Sequence, residues 1–262
     1  MTAVVRSLNA QARIVWAVAL REMMLRHRES PLGVLTAIIE PLAMILLMTL
    51  VFSTIRLRIP GAGDYVMLFI MTGILPITMF RGGVQGCDRG VARQKRALVV
   101  PGVRPLDLML GGLIVNYMTL LALFTLITAF FALIYRPDSP QNFVVSLLPG
   151  VCNALMAIGV GAINLLIKSW FKFWGTIFAI ITMPLNIISG MFYTADTLPT
   201  AVLKYLYYNP FFHATEFTRT HYFPDYTSDF FDPYYYFGCT FGFVFLGLLV
   251  ERVFRYRLAM GT

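Results

Sequence analysis

Charge is scarce in this chain: Asp, Glu, Lys and Arg make up 13% of its 262 residues, against 58% hydrophobic. Histidine and cysteine are scarcer still. His27, His213 and His221 show no metal-ligand spacing, so no metal site is expected. Cys87, Cys152 and Cys239 sit in separate segments and define neither a disulfide framework nor a zinc motif. None of the four lysines follows a glycine, which excludes a phosphate-binding P-loop from the described sequence. Asp225, Asp229 and Asp232 are spaced as a solvated loop rather than as an acid/base pair. A membrane glycosyltransferase would need carboxylates or histidines converging near one face, and that pattern is missing. No enzyme is expected, and any energy source must be another subunit or an ion gradient.

What the chain has instead is six long apolar runs, at roughly 32–55, 65–84, 108–134, 144–167, 173–193 and 234–250. About 20 helical residues cross about 30 Å of hydrocarbon. Five runs meet that length. The last is at the lower limit unless Pro233 and Tyr234–Tyr236 lie in the headgroup layer, and the third is long enough to tilt. The fold class is therefore an all-α integral membrane protein with six spans, organised as one domain. Its parts are an interfacial segment over 1–30, spans one to five over 32–193, an external region over 194–233, span six over 234–250 and a tail over 251–262.

The basic residues fall on alternate connections. Five lie in the N-terminal segment, six between Arg81 and Arg104, two at Lys168 and Lys172 and three after residue 250, making sixteen against five on the other side. The positive-inside bias puts both termini in the cytoplasm, in a bacterial inner membrane. Topology then accounts for most of the +8 net charge, and nucleic acid is not an expected partner. Ile14–Leu20 lacks a small-residue cleavage site and runs straight into charge, so no cleaved signal is read.

Outside the spans, Arg6, Arg13, Arg21 and Arg28 recur close to multiples of 3.6, with Val5, Leu8, Ala12, Trp16, Ala19 and Met23 on the other side. That pattern suits an amphipathic helix in the cytoplasmic headgroup plane; a helix packed on a partner chain is the alternative. Ser30–Pro31 is a good helix start. The 85–107 connection, with Arg89, Arg93, Lys95, Arg96 and Arg104, reads either as a short basic helix, closed by Pro101, Gly102 and Pro105, that docks a cytoplasmic protein, or as a solvated loop that sets topology. Residues 204–237 hold fifteen of the thirty-eight aromatics, so the external region reads as short helices dipping into the outer boundary. An aromatic belt explains part of that enrichment. Flat rings along which sugars slide are the sharper reading.

Inside the spans, Glu40 precedes Pro41 a third of the way into span one. It is either a pivot carboxylate facing partner helices or the pathway, or a protonated or paired structural group. Asn116, Asn153, Asn164 and Asn186 suit interhelical hydrogen bonds, and Gly159 and Gly161 suit close helix approach. Pro76, Pro149 and Pro184 mark bends.

At "LREMMLRHRESPLGVLTAIIEP" (Leu20–Pro41) and "YLYYNPFFHATEFTR" (Tyr205–Arg219), with "GILPITMF" and "VRPLDLMLGG" between them, the chain resembles the permease of ABC-2-type exporters. Arg21-Glu22, Gly33 and Glu40-Pro41 narrow the resemblance to the capsular polysaccharide subgroup. A departure is the acidic-aromatic stretch near Pro224–Pro233. The resemblance implies a homodimer with two copies of a separate ATPase, which binds the ATP and Mg; the chain itself needs no cofactor. It implies export of a lipid-linked capsular polysaccharide, handed to a periplasmic co-polymerase and an outer-membrane export protein. It implies coupling to the ATPase through Arg21, Arg26, Arg28, Arg89, Arg93, Lys95 and Arg96. Asn209, Pro210, Glu216 and Arg219 would form re-entrant gate helices, with Glu40 and Pro41 as pivot. Residue reading and resemblance together make Arg81, Lys168 and Lys172 guides for an acidic glycan or lipid phosphate. Trp170, Trp174, Tyr193, Tyr205, Tyr208, Phe211 and Phe212 would carry the sugar chain. Export of O-antigen or teichoic acid is the runner-up, followed by a secondary transporter, for which no internal repeat is found, and a membrane enzyme of glycan assembly.

Overall fold

A computed structural model describes residues 2–29, 33–54, 65–135, 140–171 and 173–260. The order is α1 (Thr2–Glu29), α2 (Gly33–Thr54), α3 (Val66–Gln94), α4 (Pro105–Ile134), α5 (Phe143–Ser146), α6 (Leu148–Trp170), α7 (Trp174–Thr182), α8 (Leu185–Ile188), α9 (Thr200–Leu206), α10 (Pro210–Tyr222) and α11 (Pro233–Met260). No strand occurs among these residues. Ser30–Pro31 and Lys172 lie outside the described residues.

Among the described residues, five segments are long and apolar enough to cross a membrane: 37–54, 66–99, 105–134, 143–170 and 233–258. The run 173–193, expected to span, does not form one helix. Its helical part, Trp174–Ile188, is shorter than a span and is interrupted at Met183–Pro184. Proline removes the N–H that would bond Ile180 and clashes with that carbonyl. The remainder of the run turns at Gly190, whose φ of 80° suits glycine, and a Cβ there would strike the Phe212 ring. The last run is the reverse case: helix extends past it to Met260, with a kink at Phe254, and the run is no longer marginal.

The basic 85–107 connection is largely helical, but it is not an element separate from the preceding span. Residues 85–94 continue α3, a tight 3-10 turn covers Lys95–Val99, and only Val100–Arg104 connects to α4. The cause is backbone contact. Cβ atoms at Gly90 and Gly112 would overlap the carbonyl oxygens of Leu108 and Gly86, so α3 and α4 touch where side chains are absent. Gly159 meets the Phe243 carbonyl on α11 in the same way, and Gly161 packs on Cys87 of α3. The close approach expected of these two glycines is present.

Helix α3 is the centre of the bundle. Leu68, Phe69, Ile70, Met71, Leu75, Ile77 and Val84 are fully enclosed by α2, α4, α6 and α10. Asn153 on α6 donates to the Pro76 carbonyl (2.8 Å) and accepts from the Tyr236 hydroxyl (2.9 Å), tying α3, α6 and α11 together. Pro76 lies within an unbroken α3, and Pro149 opens α6 at its first turn. Helix α2, continuous across Pro41, buries only a narrow edge around Pro41 and Ile45. Leu35, Ile39, Leu46, Leu47 and Leu50 remain exposed.

The bundle has two chemically distinct ends. At one, α1 and the C-terminal parts of α3, α6 and α11 meet the start of α4: Arg93 reaches Glu22, Gln11 bonds Asp107, and Arg257 lies 5.2 Å from the Trp170 ring centre. At the other, Tyr65 packs on Phe131, the Tyr222 hydroxyl bonds Thr128 and the Tyr236 hydroxyl bonds the Pro149 carbonyl. Basic side chains dominate the first end and aromatic rings the second.

Candidate functional site

At the basic end, α1 presents Ile14, Val18, Ala19, Glu22 and Arg26 to the bundle, a helical stripe that packs on α4 and α3. Gly111 lets Val18 and Ala19 sit directly on the α4 backbone. Trp16, Leu20, Met23 and Met24 stay exposed on the other face. Ala19, expected beside Trp16 on the apolar outer face, is instead buried, because the third of α1 lying between the arginine stripe and the tryptophan is the part that meets α4.

Glu22 is fully enclosed and holds three partners: Arg93 Nη1 at 2.9 Å, Arg26 Nε at 3.3 Å and Gln94 Nε2 at 3.3 Å. Gln94 also donates to the Val18 carbonyl (3.2 Å). A buried carboxylate with this much compensation clamps α1 to the end of α3. Of the residues assigned to coupling, Arg26 is therefore buried and Arg93 is engaged in this clamp. Arg89 donates to the Gln85 carbonyl (3.2 Å) and Lys95 is half-buried, while Arg21, Arg28 and Arg96 are exposed. Val99 and Val100 stand exposed beside them at the turn.

Arg81 and Asp88 lie two turns apart on one face of α3, with Glu40 of α2 near enough to Arg81 to act on it electrostatically. Glu40 is exposed in the single chain rather than enclosed in it. Lys168 approaches Asp88 at 3.5 Å, and Asn164 donates to the same oxygen at 2.9 Å. Trp170 packs edge-on against Phe254, and Trp174 is half-buried at the start of α7. Arg81, Lys168, Trp170 and Trp174 therefore belong to the half of the bundle where α3 and α6 end.

At the aromatic end, Asn209 and Pro210 open α10 by simple capping chemistry. The Asn209 side chain accepts from the Phe211 amide (3.0 Å) and donates to the Ile188 carbonyl and Ser189 hydroxyl (both 3.3 Å), while proline occupies the first turn. Glu216 and Arg219 are both fully enclosed. Tyr226 donates to Glu216 at 2.5 Å, and Arg219 lies 3.7 Å from the other carboxylate oxygen. Arg219 donates to the Tyr193 carbonyl (2.6 Å) and the Met191 carbonyl (3.3 Å), with its guanidinium carbon 3.8 Å above the Phe69 ring. Burial draws the Arg219 pKa down to about 10, which leaves it a cation at neutral pH. This single side chain fastens α10 to α3 and to the turn after α8.

His213, also fully enclosed, joins three elements. Its Nε2 bonds the Tyr207 carbonyl (2.8 Å) and its Nδ1 accepts from the Asp232 amide (3.3 Å), which makes it a neutral Nε2–H tautomer. Asp232 is a cap rather than the solvated loop acid expected from its spacing: it accepts from the Tyr207 hydroxyl (2.5 Å) and from the Tyr235 amide (3.1 Å) just before Pro233. The Tyr207 hydroxyl holds its pKa below the usual carboxylate range. Burial lowers the His213 pKa, with the Tyr207 carbonyl and Asp232 opposing in part; Tyr207 and Tyr235 are the other titratable groups against it. The unfolded chain therefore binds a proton before the folded one does. Stability is complete above the ordinary imidazole value and falls as pH drops below it, by up to about 1.4 kcal/mol per pH unit. Between pH 7 and 5 the wild-type melting temperature is expected to fall more steeply than that of His213→Gln, and parallel slopes would refute the assignment.

The stretch after Pro224 packs onto α10: Phe230 lies 4.7 Å from Phe212 and 4.9 Å from His213, and Phe231 lies 4.6 Å from Phe217. Phe211 packs at 4.4 Å on Phe80, so Phe211 and Phe212 are core residues of this chain. Tyr193 bonds the Ile188 carbonyl (2.9 Å), whereas Tyr205 and Tyr208 are exposed at the far end from Arg81 and Lys168. Sequence reading missed Asp88 and Tyr226 altogether and noted Glu22 only as part of a motif. The Glu22–Arg26 spacing and the Asp232–Pro233 pair were the available signals.

Residues 13–223 match the model of the ABC-2 type transporter family, and the chain belongs to that family. It is 26% identical over 97% of its length to the capsule polysaccharide export inner-membrane protein CtrC of Neisseria meningitidis, covering 95% of that protein. It is 26% identical to the capsule polysaccharide export inner-membrane protein BexB of Haemophilus influenzae, over 84% of this chain and 83% of the relative. To the polysialic acid transport protein KpsM of Escherichia coli it is 25% identical, over 93% and 94%.

Proposed function

We infer that this chain is the membrane subunit through which an ABC exporter moves a lipid-linked capsular polysaccharide across the bacterial inner membrane. The observation that carries the reading is near end-to-end similarity to inner-membrane proteins of capsule export, in a chain without a phosphate-binding loop. A separate ATPase, two copies on a permease homodimer, supplies ATP and Mg chemistry. The unpartnered apolar edges of α2 and of Trp174–Ile188 support a second copy, beside which the latter completes the sixth crossing. The basic end, where α1 meets the ends of α3, α6 and α11, faces the cytoplasm by the positive-inside rule, with both termini there. The aromatic end then faces the periplasm, where α9 and α10 form the re-entrant mouth toward a co-polymerase and outer-membrane export protein.

In this mechanism the nucleotide-driven closure of the ATPase pushes on α1 and the Lys95–Arg104 turn. Because Glu22 clamps α1 to α3, the push moves both together. The path runs from Arg81, Lys168, Trp170 and Trp174 toward Tyr193, Tyr205 and Tyr208. Deleting this gene, or the gene for the ATPase, leaves capsule inside the cell; surface capsule persisting in either strain refutes the reading. Arg96→Glu, at an exposed site outside the Glu22 clamp, reduces co-purification with the ATPase about tenfold on removing and reversing one interfacial charge. Unchanged co-purification removes this turn from the docking surface.

A further inference from the structure

Asp88 is a carboxylate that the path residues alone do not require. Its Oδ2 is shared by Asn164 at 2.9 Å and Lys168 at 3.5 Å, while its Oδ1 is shielded from solvent with no partner among the described residues. The ammonium distance exceeds the 2.7–2.9 Å of a tight charge-assisted bond. Lys168 keeps 39% of its side chain exposed, and among the described residues Asp88 is the one partner for its three N–H groups. The ammonium also lies near Gly175: a Cβ there would meet Lys168 Cε at 3.7 Å and Nζ at 3.8 Å, and no other side chain among the described residues within 4 Å. Trp174, in the same turn, carries a shielded indole N–H with no partner among the described residues. Two sets of unfilled donors beside an open glycine define a place for an acceptor with negative charge.

We propose that the place beside Lys168, Trp174 and Gly175 is an oxyanion-binding site, and that Asp88 is the resident counter-ion its ligand displaces from Lys168. The inference rests on the export reading above and deepens it. Asn164, one turn before Lys168, gives the mechanism its economy. It continues to hold Asp88 when the ammonium swings toward Gly175, so the half-enclosed carboxylate is never left bare. The ligand class is a phosphate ester or sugar carboxylate, the anionic groups of a lipid anchor or an acidic glycan. By competing for Lys168, Asp88 keeps the site weak enough to release what it binds.

The test uses full-length protein in neutral-lipid nanodiscs, with isotope-labelled methyl groups on its lysines and the Lys168 resonance identified by Lys168→Arg. Dihexanoyl phosphatidic acid and a galacturonate oligosaccharide are titrated, with dihexanoylglycerol as uncharged control. The Lys168 resonance shifts with at least one anionic probe and not with the control. Response to the lipid alone identifies the anchor phosphate as ligand, and response to the oligosaccharide alone identifies the glycan. Asp88→Asn lowers the half-saturating concentration about fivefold, the scale of one partly exposed ion pair. Gly175→Leu, which fills the open side and leaves both charges in place, raises it at least as much, and tests the site independently if Asp88→Asn fails to fold. A Lys168 resonance unmoved by both anions overturns the site, and equal half-saturation in wild type and Asp88→Asn overturns the counter-ion. Because the titration needs neither ATPase nor transport, a null result beside intact capsule export removes this inference and leaves the export reading standing.

Discussion

Glu22→Ala is expected to destabilise the protein by about 3–5 kcal/mol, the scale for removing one partner of a buried ion pair. The carboxylate is wholly enclosed and receives Arg93, Arg26 and Gln94. Without it, Arg26 keeps a buried guanidinium with no counter-charge, and its Nη2 already lacks a partner. Glu22→Gln retains shape and loses charge, so an intermediate loss is expected. Replacing Glu22 and Arg26 together by leucine should recover much of it, because a well-packed apolar pair substitutes for a buried ionic one at little cost. Thermal melting of purified protein in detergent checks the series. A Glu22→Ala melting point within ~2 °C of wild type would show that the clamp carries no stability. In the exporter reading the same variant uncouples ATP hydrolysis from export, since α1 no longer moves with α3.

Arg219 should be as sensitive and less forgiving. Arg219→Ala leaves the Met191 and Tyr193 carbonyls without their donor, removes the cation from Phe69 and leaves Glu216 with Tyr226 alone. A loss of about 3–5 kcal/mol follows from the unpaired buried carboxylate and the abandoned carbonyls. Arg219→Lys is not expected to restore it. An ammonium cannot donate in a planar fork to two carbonyls while lying flat over a ring. Gly73 reinforces the point, since a Cβ there would come within 2.8 Å of Arg219 Nη2 and 2.9 Å of the Met191 carbonyl oxygen. Hydrogen exchange over residues 189–193 is the direct readout: both variants speed exchange there. A lysine variant with wild-type protection would show that charge alone is what the site needs.

Much of the bundle was legible from composition and period. The apolar runs located α2, α4 and α6, whereas Asn209-Pro210 entered only through the resemblance, although its capping chemistry is what opens α10. Small residues at 159 and 161 announced a close crossing without naming the partner helix. The end of α3 was misread because Arg89, Arg93 and Gln94 look like a departure from lipid. They stay helical because Gly86 and Gly90 lie on α4 and Glu22 supplies the missing charge, and both partners are distant in sequence. The fifth run departs in the opposite sense, in not being one continuous helix. Its hydropathy satisfies a span, yet Pro184 and Gly190 break it where Arg219 and Phe212 need the turn. Among the site residues, Phe211 and Phe212 illustrate the limit: aromatic enrichment marked the region but not which rings face inward.

Hydropathy, charge asymmetry and local capping are properties of neighbouring residues, and by themselves they determined an all-helical membrane protein with one basic and one aromatic end. The pairing of Glu22 with Arg93, of Asp88 with Lys168 and of Arg219 with the 191–193 carbonyls was decided only by the tertiary structure. These contacts join residues from 26 to 80 positions apart. Which buried charge meets which depends on where glycines allow backbones to touch, and no local pattern encodes that.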